Sequence, residues 1–385
     1  MDPSQRRVQL AVQPLPSWCF GWVGPLLAAA CRPILVGLLL VGLVVTSLAA
    51  GPVWAALPPG NAVTDPAAIL RDALPIESAD LQKLQHQLEG TSDDLRAKRW
   101  GALSSSVRRS QGLLSTRGAA ITASLPPADR ESSVAALSAV AEQLQAMASA
   151  ADQQDRDGFL TARRAALTTI GDLEALLVGP FPFEIPAEFA DLPRLVGRAT
   201  VELTTTKGLL TAVVDGYNSP LTGGAFVDLV QRGFYDGLPF NRAEDFYVLQ
   251  TGAPAGTAKG FVDPKTKLER HVPLEIRVPG EKAPFYNQTF EDLGRFKATP
   301  VLPFATKGTL GWAHSDEALD DGSSQFFLFL FEAELTPAGL NLIDGRYAAF
   351  GYVVDGFDVL EELSADDGIV KARVIDGAEN LQAHG

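Results

Sequence analysis

Cysteine is nearly missing from this chain of 385 residues: Cys19 and Cys31 are the two it has, and both lie in an apolar N-terminal leader. A folded body without thiols excludes cysteine nucleophiles, cysteine metal ligation and disulfide staples, so its stability rests on core size. Basic charge is also short. With 32 Lys and Arg against 46 Asp and Glu, the net charge is −14, a field that repels phosphate backbones and argues against a nucleic-acid partner. The four histidines, His86, His271, His314 and His384, are scattered without metal-ligand spacing. Neither the acidic run Asp316, Glu317, Asp320, Asp321 nor the stretch Asp155-x-Asp157-Gly158 has the length and alternation of a calcium loop. No cofactor or metal is expected.

What is present is apolar residue in quantity, 46% of the chain, over a length that suits two domains plus extras. Residues 1–55 read as a signal peptide or, if uncleaved, a membrane anchor. Arg6, Arg7 and Arg32 precede the uncharged run Pro33–Val45, and Val53-Trp54-Ala55 supplies a small-x-small cleavage pattern. Cleavage is the favoured reading; retention would tether the protein through residues 33–50. Either way the body is exported.

From residue 56 to 178 the chain is rich in Ala, Leu, Gln, Ser and Arg. Apolar residues recur at helical spacing: Leu81, Leu84, Leu88; then Val134, Leu137, Ala141, Leu144, Ala148; then Leu160, Leu167, Ile170, Leu173, Leu177. Each set is a one-sided stripe, which predicts amphipathic helices in a bundle, with a lead-in helix near Pro66–Leu74. Asp129 after Pro126-Pro127 reads as a helix cap, and Asp157-Gly158 as an interruption. Residues 179–194, beginning Gly179-Pro180-Phe181-Pro182-Phe183-Glu184-Ile185-Pro186, hold too much proline for helix or central strand and form an extended linker. Its phenylalanines predict that it packs against something. From residue 195 to 385 the texture changes to alternation, as in Ala199–Thr204 and Leu209–Val214, with turn dipeptides at Asp215-Gly216, Asp236-Gly237 and Asp344-Gly345. Helical inserts fall at Gly224–Arg232 and after Gly356. The fold class is α+β: a helical bundle, then an antiparallel β-barrel capped by helices.

Three segments carry the chemistry. Phe240-Asn241-Arg242, Gln250-x-Gly252 and Gly322-Ser323-Ser324-Gln325-Phe326-Phe327 resemble the active-site segments of cyclophilins, and the resemblance covers roughly Arg198 to Leu363. Alone, an arginine is far more often a surface ion-pair residue than a catalyst. The spacing of Arg242 to Gln250 together with the third segment favours the site reading. The resemblance implies isomerisation of peptide bonds preceding proline, with Arg242 as the catalytic arginine and Gln250 its partner. It also implies Phe327 as part of the proline-pocket floor, Tyr247 and Val248 beside it, Gln325 on the same strand face, Ala313 and His314 along the substrate groove, and Ile343 and Tyr347 at the rim. With its leader, its helical domain and the segment Asp65–Ile76, the chain resembles the multidomain cyclophilins of the thylakoid lumen of plants and cyanobacteria. Lumenal or periplasmic clients that contain proline, among them photosystem subunits, are therefore the partners it implies.

The departures are as informative. Asn241 stands where the family usually carries histidine, Tyr247 and Val248 where it carries phenylalanine and methionine, and Leu342 where it carries tryptophan. These changes reshape the pocket and predict weak turnover and weak binding of cyclosporin-type inhibitors. Two functions stay open: an isomerase, or a cyclophilin-like binding module acting as an assembly scaffold governed by its helical domain.

Overall fold

The computed structural model describes residues 63–244, 246–253, 260–296, 298–331 and 343–382, all within the compact unit Pro58–Gly385. The leader with both cysteines, Leu342 and His384 lie outside the described residues. Among the described residues no helix is long and apolar enough to cross a membrane.

Six helices come first: α1 (Pro66–Asp72), α2 (Ala79–Glu89), α3 (Ser92–Arg96), α4 (Trp100–Ser124), α5 (Arg130–Asp152) and α6 (Arg156–Ala175). The start of α1 is fixed by its sequence. Pro66 occupies the first turn, and the Asp65 carboxylate accepts from the Ala67 N–H at 3.0 Å, satisfying a donor the helix itself leaves orphaned. Helices α2, α4, α5 and α6 bury one core between them, built from Leu81, Leu84, Leu103, Val107, Leu144 and Ile170 among others.

One predicted stripe is turned. On α5, Leu137 and Leu144 are buried, but Val134 is 54% exposed and Ala141 also faces solvent. Val140 and Met147 fill the core instead. An alanine-rich helix offers two small-residue faces, and the one with the larger side chains removes more apolar surface from water. Asp157 and Gly158 do not interrupt a helix; they lie in the first turn of α6, whose cap is Asp155, accepting from the Gly158 N–H at 3.1 Å. Asp129 does stand at the α5 N-cap, without a side-chain capping bond.

After α6 the proline-rich stretch lies against the β domain. Phe181 and Phe183 pack ring to ring at 4.6 Å, the Arg277 guanidinium sits 5.3 Å over Phe183, and Phe189 meets Tyr286 at 5.0 Å. Ile185, Phe189 and Leu192 abut the β-domain core.

The β domain runs β1 (Arg194–Leu195), β2 (Arg198–Thr205), β3 (Leu209–Asp215), α7 (Pro220–Gln231), β4 (Arg242–Glu244), β5 (Val248–Thr251), β6 (Glu275–Ile276), β7 (Phe285–Tyr286), β8 (Thr309–Trp312), β9 (Phe326–Phe329), β10 (Ala348–Asp355), α8 (Phe357–Glu362), β11 (Ile369–Asp376) and β12 (Leu381–Gln382). Eight strands form one antiparallel sheet in the order β11-β2-β3-β10-β8-β9-β5-β4. Its edges meet. The segment leading into β4 bonds to the start of β11, with Phe240 N to Asp367 O at 3.0 Å and Ile369 N to Leu238 O at 2.9 Å. The sheet therefore curls into a barrel, closed at this seam. Helix α7, buried on every side, plugs it through Phe226, which meets Phe326 at 5.0 Å and Phe350 at 5.1 Å.

Strand β9 explains how a run of consecutive apolar residues sits in a sheet. Phe326 and Leu328 point into the barrel core, while Phe327 and Phe329 point outward into a second apolar cluster. Leu249 and Val248 divide in the same way. That outer cluster also contains Ile69, Leu70 and Ala73 from α1 and the segment just after it. The lead-in helix is thus docked on the barrel. Asn218 Nδ2 donates to Ala73 O at 2.8 Å, and Arg198, paired with the buried Asp215, donates to Leu70 O. At its other side α1 is joined to the bundle, through Arg71 to Glu89 at 2.8 Å and Gln85 to Asp72 at 2.7 Å.

Candidate active site

The site follows from strand register. Arg242 on β4 lies directly opposite Gln250 on β5, Gln250 opposite Phe327 on β9, Phe327 opposite Gly311 on β8, and Gly311 opposite Ala349 on β10. Residues so paired project to the same face of a sheet. A donor, an amide and an apolar floor therefore stand in one row across the outside of the barrel.

The floor is dense. Phe327 stacks on Phe304 with ring centroids 5.7 Å apart and meets Tyr347 edge-on at 5.5 Å. Val248, Phe327 and Ile343 are each 5% exposed and share the outer cluster, with Tyr247, Ala313 and Tyr347 partly buried around it. His314 stacks on Tyr347 at 4.7 Å, its ring nitrogens held at the carbonyl oxygens of Ser315 (2.7 Å) and Arg346 (2.9 Å). Burial raises the phenol pKa of both Tyr247 and Tyr347, so both hydroxyls stay neutral donors.

The polar half is arranged differently from the expectation that Gln250 partners Arg242. Gln250 Nε2 donates to Gln325 Oε1 at 2.9 Å, and Asn241 Nδ2 donates to the same oxygen at 3.3 Å. Gln325 thus gathers the two amides. Arg242 instead gives its Nε to Glu244 Oε1 at 2.9 Å and its Nη2 to the same atom. Both side chains of this ion pair are about half exposed. Two residues apart on one strand, Arg242 and Glu244 share a face, because side chains alternate with period two.

Two glycines are fixed by crowding. At Gly252, φ is +92° and a Cβ would fall 2.4 Å from Ser324 O; at Gly311 a Cβ would fall 2.2 Å from Phe327 Cζ and 2.8 Å from Phe304 Cε1. The first accounts for glycine after Gln250-x, and the second lets the Phe327 ring lie flat on β8. Asp344 accepts from Phe304 N at 2.8 Å and so seats the loop that carries Phe304. Burial pushes its pKa up to about 6.

Sequence reasoning missed Glu244, Phe304 and Gly311. The spacing of Glu244 to Arg242 was a signal for the first. For Phe304, far along an irregular stretch, there was none.

Comparison with known proteins agrees with this architecture. Residues 200–378 match the family described as cyclophilin type peptidyl-prolyl cis-trans isomerase, and residues 65–178 match the PsbQ-like domain of CYP38-like peptidyl-prolyl cis-trans isomerases. A Synechocystis protein named as a thylakoid lumen peptidyl-prolyl cis-trans isomerase is 51% identical over 85% of this chain and 86% of its own length. The chloroplastic peptidyl-prolyl cis-trans isomerase CYP38 of Arabidopsis thaliana is 40% identical over 84% of this chain and 76% of its own. Its Arabidopsis relative CYP37 is 29% identical over 81% and 69%. With relatives of this identity aligned across the helical region and the barrel alike, the chain belongs to the cyclophilin-type peptidyl-prolyl cis-trans isomerase family.

Proposed function

We propose that this protein is an exported peptidyl-prolyl isomerase, acting in the thylakoid lumen on proline-containing protein clients, photosystem subunits among them. The observation that carries the reading is the row Arg242–Gln250–Phe327 across β4, β5 and β9. Rotation about an X-Pro bond crosses a resonance barrier of ~18–20 kcal/mol, and it needs no nucleophile, acid–base pair or metal. It needs the proline ring held and a cation-borne donor aimed at the prolyl nitrogen. Such a donor favours the pyramidal nitrogen of the twisted state over the planar ground state. Arg242 supplies a permanently charged fork of donors. Phe327, Val248 and Ile343 offer the apolar surface, with Tyr247 and Tyr347 flanking it. Gln250 and Gln325, bonded to each other, are placed to grip the client backbone, and Ala313 and His314 to border its path. The lumenal location is supported by the basic-apolar-small leader and by the name of the Synechocystis relative; photosystem clients rest on the resemblance alone.

The test is a peptide isomerisation assay on the chain from Ala56. Arg242→Ala should reduce kcat/KM by about 100-fold, the scale of losing one transition-state donor. A rate unchanged by that substitution sinks the catalytic assignment. The second reading, a binding module with little turnover, is favoured by one observation: Arg242 is already engaged by Glu244. It prevails if the parent is no faster than buffer yet still binds proline peptides.

A further inference from the structure

Next to the hairpin joining β4 and β5, between it and α8, lies a cavity of about 680 Å³ that the row Arg242–Gln250–Phe327 does not use. Its lining is mixed: Leu330, Leu360 and Leu363 supply apolar wall, and Glu361, Ser364 and Asp366 polar wall. Its rim carries Phe246, which is 84% exposed and held at φ +60°. That backbone region is uncommon for any residue with a side chain and costs a bulky aromatic roughly 1–2 kcal/mol. An aromatic ring both strained and left in water earns nothing for the fold of the free protein; such outliers concentrate where something binds.

The cavity shares residues with the surroundings of the isomerase site. Val248 lines it and also belongs to the cluster beneath Phe327, and Glu244 lines it while holding Arg242. A client in extended form rises about 3.3 Å per residue, so a chain whose proline lies at Phe327 reaches the cavity within a few residues. The charge of the lining is one carboxylate in excess. Glu244 is held by Arg242 and Glu361 by Lys307 at 3.2 Å, which leaves Asp366 as the lining carboxylate with no ion pair among the described residues. A cavity with an apolar wall and the carboxylate of Asp366 beside it matches an apolar side chain with a basic neighbour.

We propose that this cavity is a second subsite for the polypeptide client, taking an apolar side chain flanked by Lys or Arg a few positions from the isomerised proline. It thereby selects which X-Pro sequences the protein serves. The inference rests on the reading of the Arg242–Phe327 row as a client site.

Two peptides test it: a short blocked Ala-Pro peptide, and the same core extended on both sides by Lys-Leu pairs. At low salt the extended peptide should show kcat/KM about tenfold higher, the scale of filling one apolar pocket. Phe246→Ala and Asp366→Lys, both at exposed positions, should bring the ratio of the two peptides toward one, as should replacing each Lys of the peptide by Glu. Equal values for the two peptides in the parent overturn the subsite, and so does a ratio indifferent to both substitutions. If the parent has no turnover, the same pair is compared by binding titration. Preference for the extended peptide that Phe246→Ala and Asp366→Lys abolish then upholds the subsite while the catalytic reading falls. Binding that survives both substitutions, or no binding of the extended peptide, overturns the subsite.

Discussion

Arg242 and Gln250 face each other across the β4–β5 ladder, yet the Arg242 guanidinium turns to Glu244 on its own strand. With Arg242 in the catalytic role proposed for it, the carboxylate opposes catalysis in two ways. It competes with the client for the guanidinium donors, and its charge weakens the field that Arg242 projects onto a prolyl nitrogen. The pair is half exposed, so it adds little to stability. Glu244→Gln should therefore raise kcat/KM by about two- to fivefold, with a change in stability within about 0.5 kcal/mol. Peptide isomerisation and a urea melt check both halves. A fall in rate would mean that Glu244 positions the arginine instead of restraining it.

Gly311 lies beneath the Phe327 ring, with no room for a methyl group. Gly311→Ala must push Phe327 or Phe304 out of their stacked arrangement. Overpacking of this kind costs about 1–3 kcal/mol. KM for a proline peptide should rise severalfold while kcat falls less, because the floor is displaced and Arg242 is not. An unchanged KM would show that Phe327 does not contact the proline.

Arg198 fastens α1 to the barrel and also neutralises Asp215, a carboxylate with no exposure. Arg198→Ala strands that buried charge, and breaking such a pair by removing one partner costs about 3–5 kcal/mol. Asn218→Ala, which removes the bond to Ala73 O, should cost about 1–3 kcal/mol for the carbonyl left unpaired. Denaturant melts report the totals. Limited proteolysis near residue 75 should accelerate in both variants; if it does not, α1 is held by its apolar contacts alone.

These contacts show what the sequence could reveal and what it could not. The alternation in Ala199–Thr204 becomes β2, the pattern in Leu209–Val214 becomes β3, and the residues of the three active-site segments arrive on adjacent strands. Period and local motif carry that information directly. The docking of α1 carries none of it, because Arg198 and Asn218 grip backbone carbonyls 128 and 145 residues away, and a carbonyl has no sequence signature. The β6–β7 hairpin was likewise illegible. Two-residue strands are too short to alternate, and their place is set by the buried Glu275, whose carboxylate accepts from Leu221 N and Thr222 N at 3.0 Å. On α5 the helical period was readable but its phase was not, since Ala141 and Ala148 look as apolar as the face that is used. At the candidate site, Arg242 and Gln250 were singled out by their resemblance to cyclophilin segments, and the register sets them opposite each other. Their true side-chain partners, Glu244 and Gln325, depend on rotamers that spacing does not fix.

Glu174 on α6 gives the sharpest pH dependence. It is fully buried, and neither carboxylate oxygen has a hydrogen-bond partner among the described residues. One turn earlier, Gly171 lies against the Arg71 side chain, so Glu174 sits near the junction that ties α1 to the bundle. Burial pushes its pKa from 4.5 up to about 8, with Arg71 opposing. In the unfolded chain the group ionises near its ordinary value, so between about pH 4.5 and 8 the folded state holds more proton than the unfolded state. Stability contributed by this site is therefore fully present below that window and is lost as pH rises through it, by a few kcal/mol in all. Asp344 and Glu275, raised to about 6 and about 7, act in the same direction, so the difference between variant and parent isolates Glu174. Glu174→Leu replaces the carboxylate by an apolar group of similar volume. It should raise Tm at pH 8 by several degrees and change it little at pH 5. Thermal melts of both proteins at pH 5, 6.5 and 8 decide the matter: parallel pH profiles would show that Glu174 is paired or hydrated in solution.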